Sequence, residues 1–141
     1  MYMSNDNKPI GWWVKTVDRL LEESFRRVLA VEGLSRRHWQ LLTAVGGGAR
    51  RADLDAALAP FWPTGVAARA AEIDGLLADL EERGWLARDG EQVTPTPDGE
   101  VARTRVEAVV VRHRGRVLDG IEPQQYQQVL ATLARMAHNL A

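Results

Sequence analysis

Residues 80–99, LEERGWLARDGEQVTPTPDG, leave a chain few ways to fold. Leu80-Glu81-Glu82-Arg83-Gly84 supplies an apolar anchor, a charged flank and a glycine able to end a helix in the left-handed region. Two short runs, Trp85-Leu86-Ala87-Arg88 and Glu91-Gln92-Val93-Thr94, then flank Asp89-Gly90, a dipeptide preferred at the centre of a two-residue type I′ hairpin turn. Thr96-Pro97 follows. Its hydroxyl is an N-cap, and its proline takes the first helical position, where a missing N–H costs nothing. The stretch predicts a helix, a tight ribbon centred on Asp89-Gly90, and a second helix.

The rest of the chain reads as helix. Residues 9–33 form one long amphipathic segment with Pro9 near its start and Gly33 at its end; Val14, Val17, Leu21, Phe25, Val28 and Leu29 recur at helical spacing. Ser35 caps a second helix, RRHWQLLTAV, which glycines 46–48 terminate. RADLDAALAPF is a short third helix that Pro60 ends, and Thr64-Gly65 leads into a fourth, from about Val66 to Arg83. After the ribbon a fifth helix runs from Pro97 to about Leu118, Asp119-Gly120 breaks it, and a sixth starts near Pro123. The predicted class is mainly α with a small β-hairpin wing, the outline of a winged helix-turn-helix. Its head spans residues 34–96, inside a single domain of 1–141. The flanking helices, 9–33 and 97–141, are too long for so small a head to cover. The stripe Tyr126, Val129, Leu130, Leu133 and Met136 therefore calls for a second copy, and a two-fold dimer is the commonest closed assembly.

Composition narrows the function. The net charge of −1 argues against coating nucleic acid or membrane through bulk charge, and the absence of cysteine rules out disulfides and thiolate metal sites. MYMSNDNKPIG lacks the pattern of a signal peptide, no apolar run is long enough for a bilayer, and a cytoplasmic location is expected. GGGARR lacks the lysine-hydroxyl ending of a phosphate-cradling loop and reads as a flexible connection. His38, His113 and His138 are scattered, so no metal is expected; nor is a cofactor. No nucleophile stands beside a base and no paired carboxylates form a motif, so no catalytic residue is assigned.

In their order and spacing, PIGWWVKTVDRLL, GLSRRHWQLL, LEERGW and TPTPDG resemble the MarR (multiple antibiotic resistance regulator) family of winged helix-turn-helix regulators. The resemblance covers nearly the whole chain. It implies an obligate homodimer built on the first, fifth and sixth helices, with the fourth helix in the major groove of a palindromic site in double-stranded DNA. It also implies a small aromatic ligand in a cleft between the dimer and DNA-binding regions, which Trp12, Trp13 and Trp39 are placed to line; packing in core and interface is the other role open to them.

Two departures from the family bear on DNA. The wing, Arg88-Asp89-Gly90-Glu91, is short and carries one cation. The fourth helix holds Arg69 and Arg83 against Glu72, Asp74, Asp79, Glu81 and Glu82, a balance of −3, whereas most DNA affinity comes from Lys and Arg displacing counterions. The candidate DNA contacts are Arg36, Arg37, Arg50, Arg51, Arg69 and Arg88. The five arginines and His113 between Arg103 and Arg116 read as a charged surface of the dimer region, pairing with acids elsewhere. The order of elements supports a DNA-binding regulator. The acidic helix and short wing support an alternative: a dimeric winged-helix protein that has lost duplex binding and acts through protein or small-molecule contacts.

Overall fold

The computed structural model describes residues 7–62 and 65–141; Thr64 and the first six residues, both used in the reading above, lie outside them. Along the described residues run α1 (Ile10–Ala30), α2 (Arg36–Val45), β1 (Ala49–Arg50), α3 (Arg51–Leu58), α4 (Val66–Glu82), β2 (Leu86–Asp89), β3 (Gln92–Pro95), α5 (Pro97–Val117) and α6 (Pro123–Leu140). The punctuation works as its chemistry dictates. Ser35 caps α2 by accepting from the His38 N–H, and Thr96 caps α5 by accepting from the Gly99 N–H at 3.0 Å, with Pro97 in the first turn. Gly33 and Gly84, at φ +72° and +79°, turn the chain out of α1 and α4.

Two local expectations are corrected. GGGARR is not merely a connection: Ala49 pairs with Val93 and Arg50 with Gln92, so the sheet has three antiparallel strands in the order β1-β3-β2. Gly48, at φ +153°, brings the chain so close to β3 that an added Cβ would lie 3.4 Å from Gln92 and Thr94. A strand of two residues carries no periodicity to read. The hairpin register also differs, because Asp89 pairs with Gln92 and Arg88 with Val93, leaving Gly90-Glu91 as the loop. Gly90, at φ +62°, holds the first loop position, where both primed turns need a positive φ.

Two apolar cores result. The head packs Leu41, Leu54, Trp62, Ile73, Leu77 and Val93, all at most 1% exposed, between its three helices and the ribbon. The second core joins Leu29 and Leu34 to Val106 and Val110 of α5. Trp39 and Trp85 are packed against both, so these indoles couple head to helical region. On α5 the buried stripe is Gly99, Ala102, Val106, Val110 and His113, a three-four spacing. By contrast α6 buries nothing; Tyr126, Val129, Leu130, Leu133 and Met136 are 37–54% exposed, as are Trp12, Val14, Val17 and Leu20 on α1.

The tightest backbone approach is at Gly99, where a Cβ would sit 1.9 Å from the carbonyl oxygen of Trp85. That oxygen also accepts from the Thr96 N–H at 3.0 Å. Gly99→Ala must therefore push α5 off the start of the wing, and the expected loss of stability is about 2 kcal/mol or more. Urea unfolding checks this; a midpoint equal to that of the unsubstituted chain would contradict the packing described.

Candidate nucleic-acid interface and its adjoining cleft

α4 presents to solvent a stripe of Ala67, Ala71, Asp74, Gly75 and Ala78, widened at its first turn by Val66 and Ala68. Ile73, Leu77 and Leu80 lie on the opposite, buried face. The exposed side is narrow and nearly free of long side chains. Asp74 lies on it, Glu72, Asp79 and Glu81 are half-buried at its flanks, and among the described residues ion pairs engage every α4 acid but Glu82. Arg37 reaches from α2 to Glu72. Arg51, at the start of α3, donates Nε to Asp74 Oδ1 at 2.8 Å, Nη1 to Asp55 at 2.7 Å and Nη2 to the Ala70 carbonyl at 3.2 Å. From the wing, Arg88 lies 3.1 Å from Glu81 and 3.8 Å from Asp74. Arg83 Nε lies 3.2 Å from Asp79 while its Nη2 donates to the Gly33 carbonyl at 2.8 Å, which ties α4 to the end of α1.

His38 closes the same array. Its Nδ1 accepts from the Ser35 N–H at 3.0 Å, so the ring proton is on Nε2, which donates to Asp79 at 2.7 Å. One side chain thus completes the cap of α2 and positions α4. The array converts the −3 of α4 into a surface of local pairs. Arg51 holds the Asp74 carboxyl below the ordinary aspartate value through its hydrogen bond, against a smaller opposing effect of burial.

The candidate DNA-contacting arginines therefore occupy different settings. Arg37, Arg51 and Arg88 are engaged with α4 carboxylates, and Arg36 donates to Glu22 of α1 at 2.8 Å. Arg50 is exposed at the end of β1 with no ion-pair partner among the described residues, and Arg69 is half-buried near the start of α4. In the basic run of α5, Arg103 pairs with Glu100 at 3.2 Å and Arg105 with Glu32 at 2.8 Å. His113 departs from the charged surface expected of it: it is buried, with Nε2 2.7 Å from Ser24 Oγ and its ring 5.7 Å from that of Phe25. Its place on the Ala102, Val106, Val110 stripe was the available signal.

Between head and helical region lies a cleft of about 700 Å³. Val17, Leu21 and Phe25 of α1, Trp39 of α2, and Val110 and His113 of α5 form its walls; Tyr126 and Val129 of α6 complete it, and Arg36 and Arg114 are matched there by Asp18 and Glu22. This size suits a small organic molecule. Of the three tryptophans expected there, only Trp39 lines it. Trp12 and Trp13 stack edge to face at 4.6 Å a turn before the lining begins, with Lys8 Nζ 4.9 Å from the Trp12 ring. Phe25, His113 and Tyr126, which the sequence placed on the first-helix stripe, a charged surface and the dimer stripe, supply the aromatic wall instead. Among the described residues no cluster of His, Asp or Glu is placed to hold a metal, and no helix is long and apolar enough to cross a membrane.

A helix-turn-helix head, a three-stranded wing and long helices from both ends define a winged helix-turn-helix protein. No family model and no curated protein matches the chain by sequence. Solved structures match it along nearly its whole length. One is CouR from Rhodococcus jostii RHA1 bound to p-coumaroyl-CoA, 24% identical, covering 95% of this chain and 96% of that one with a TM-score of 0.69. Another is a MarR-family protein of Mycobacterium tuberculosis in complex with DNA, 24% identical, covering 92% and 98% at 0.69. A third, BpsR of Bordetella bronchiseptica, solved to explain regulation of its DNA binding by 6-hydroxynicotinic acid, is 18% identical and covers 96% and 99% at 0.70. The chain has the fold of the MarR-family transcriptional regulators.

The Arg51–Asp74 pair has a pH signature. A carboxyl whose pKa is depressed by folding contributes stability that is present above its unfolded value and lost as pH falls. Asp74→Asn is therefore expected to be less stable than the parent at pH 7, with the difference shrinking toward zero as pH drops below the ordinary aspartate value of 3.8. Urea midpoints at pH 7 and pH 3 check this, and a difference that does not change with pH would show that the pair contributes nothing.

Proposed function

We propose that this chain is a homodimeric transcriptional regulator that binds a palindromic site in double-stranded DNA and responds to a small aromatic ligand. The observation that carries the reading is the bare, solvent-facing stripe of α4 beside the β2–β3 wing, which no other described element covers. A helix with only Ala, Gly and Asp along its outer line can seat deeply in a major groove about 12 Å wide. Pairing of its acids with Arg37, Arg51, Arg83 and Arg88 removes much of the repulsion that its composition implies. The DNA-bound neighbour from Mycobacterium tuberculosis supports the same reading.

Dimerisation is supported by the uncovered apolar faces of α1 and α6, because contiguous exposed apolar surface marks interaction sites. Response to a ligand is supported by the cleft, since Trp39 forms part of its wall and also packs against both cores. A molecule stacked on Trp39 biases the angle between head and helical region, and with it the spacing of two α4 helices in a dimer. The ligand-bound neighbours favour an aromatic acid or its thioester.

The second reading, a winged-helix dimer without duplex binding, is favoured by the engagement of Arg37, Arg51 and Arg88 inside the protein. Anisotropy of labelled duplex from the DNA flanking its own gene, measured over a range of salt, separates the two. The regulator reading expects saturable binding that weakens steeply with salt; no binding at low salt by a folded dimer selects the second reading. Leu130→Glu with Leu133→Glu is expected to give monomers by sedimentation and to abolish site-specific binding. An unchanged dimer would remove the assignment of that face.

A further inference from the structure

The proposal that follows rests on duplex binding through α4. Along the exposed line Ala67, Ala71, Asp74, Gly75 and Ala78, Asp74 is the residue whose side chain carries hydrogen-bonding atoms. It is 57% exposed, and both of its cationic partners, Arg51 Nε at 2.8 Å and Arg88 Nη2 at 3.8 Å, address Oδ1. We propose that Asp74 is the base-reading group of α4, accepting a hydrogen bond from the N4 amino group of a cytosine in each half-site.

The chemistry selects that base. An ionised carboxylate only accepts, so it is repelled by the N7 and O6 of guanine and by the O4 of thymine. Adenine offers its N6 amino group beside the N7 acceptor, which opposes the second carboxylate oxygen. Cytosine's own major-groove edge presents a donor and no acceptor, the nearest acceptor being O6 of the paired guanine. Aspartate is short, and the alanines and glycine around Asp74 let the helix backbone come close enough for it to reach a base edge. Its negative charge is tolerable near phosphates because two guanidinium groups face it. Arg51 is itself anchored by Asp55 and the Ala70 carbonyl, which fixes the carboxylate rather than leaving it to turn toward solvent. The same arrangement makes Arg51 a positioning residue, whose loss blurs base preference as well as weakening binding.

The experiment is selection from a library of randomised duplexes by the full chain, Asp74→Asn and Asp74→Ala, with the melting of each variant checked. The parent is expected to prefer cytosine at one position repeated symmetrically in the two half-sites, by about tenfold over other bases. Asp74→Asn is expected to move that preference to adenine, whose N6 and N7 suit an amide, and Asp74→Ala to lose it while other positions stay unchanged. The same preferred sequence from all three proteins overturns the proposal. So does uniformly tighter binding of both variants without a change in preference, which would make Asp74 only a competitor for arginines. Both results leave duplex binding standing. A parent that enriches no duplex removes duplex binding and the base-reading role together.

Discussion

Everything in this fold is referred to the carbonyl of Trp85. It receives the Thr96 N–H, and Gly99 lies against it so closely that no other residue fits without moving a helix. Just before it, the Trp85 N–H donates to Leu80 and closes the end of α4. Just after it, β2 begins. Three elements thus meet at one residue: α4, the wing and α5. The indole of the same residue packs against both cores, while Arg83 stacks 5.5 Å from it and reaches across to Gly33. Displacing this junction moves α4 relative to α5.

Electrostatics reverses a simple reading of composition. By formal charge α4 repels DNA. In three dimensions its acids are distributed among arginines from α2, α3 and the wing, plus one histidine. Exposed pairs of this kind add little stability individually. Their consequence is positional, because together they link α4 to α2, α3 and the wing. Under the proposed function, phosphates compete with the α4 carboxylates for Arg37, Arg51 and Arg88, and duplex affinity is sensitive to salt on both counts.

The sequence showed the helices and most of their ends, because Ser35, Gly33, Gly84, Thr96-Pro97 and Pro123 act through local chemistry that needs no tertiary partner. It missed β1, which exists only because β3 lies beside it. It placed the hairpin turn one residue early, since the turn preference of Asp89 is overridden by its ladder pairing with Gln92. The close approach at Gly99 was invisible for the same reason: nothing local distinguishes that glycine from a surface one. For the site, the charge of α4 was legible, but its cancellation depends on partners from α2, α3 and the wing, as far as 41 residues away. The cleft wall of Phe25, His113 and Tyr126 comes from three helices distant in sequence. The prominence of the Trp12-Trp13 pair drew attention to an exposed stretch of α1 instead.

The central claim is that two copies of this chain place their α4 helices in successive major grooves of one duplex. Hydroxyl-radical footprinting on the DNA flanking its gene tests it most directly. The account predicts two protected half-sites, symmetric about a centre and about 10 base pairs apart, appearing together as protein is added. A folded dimer that protects no such pair at low salt would contradict it.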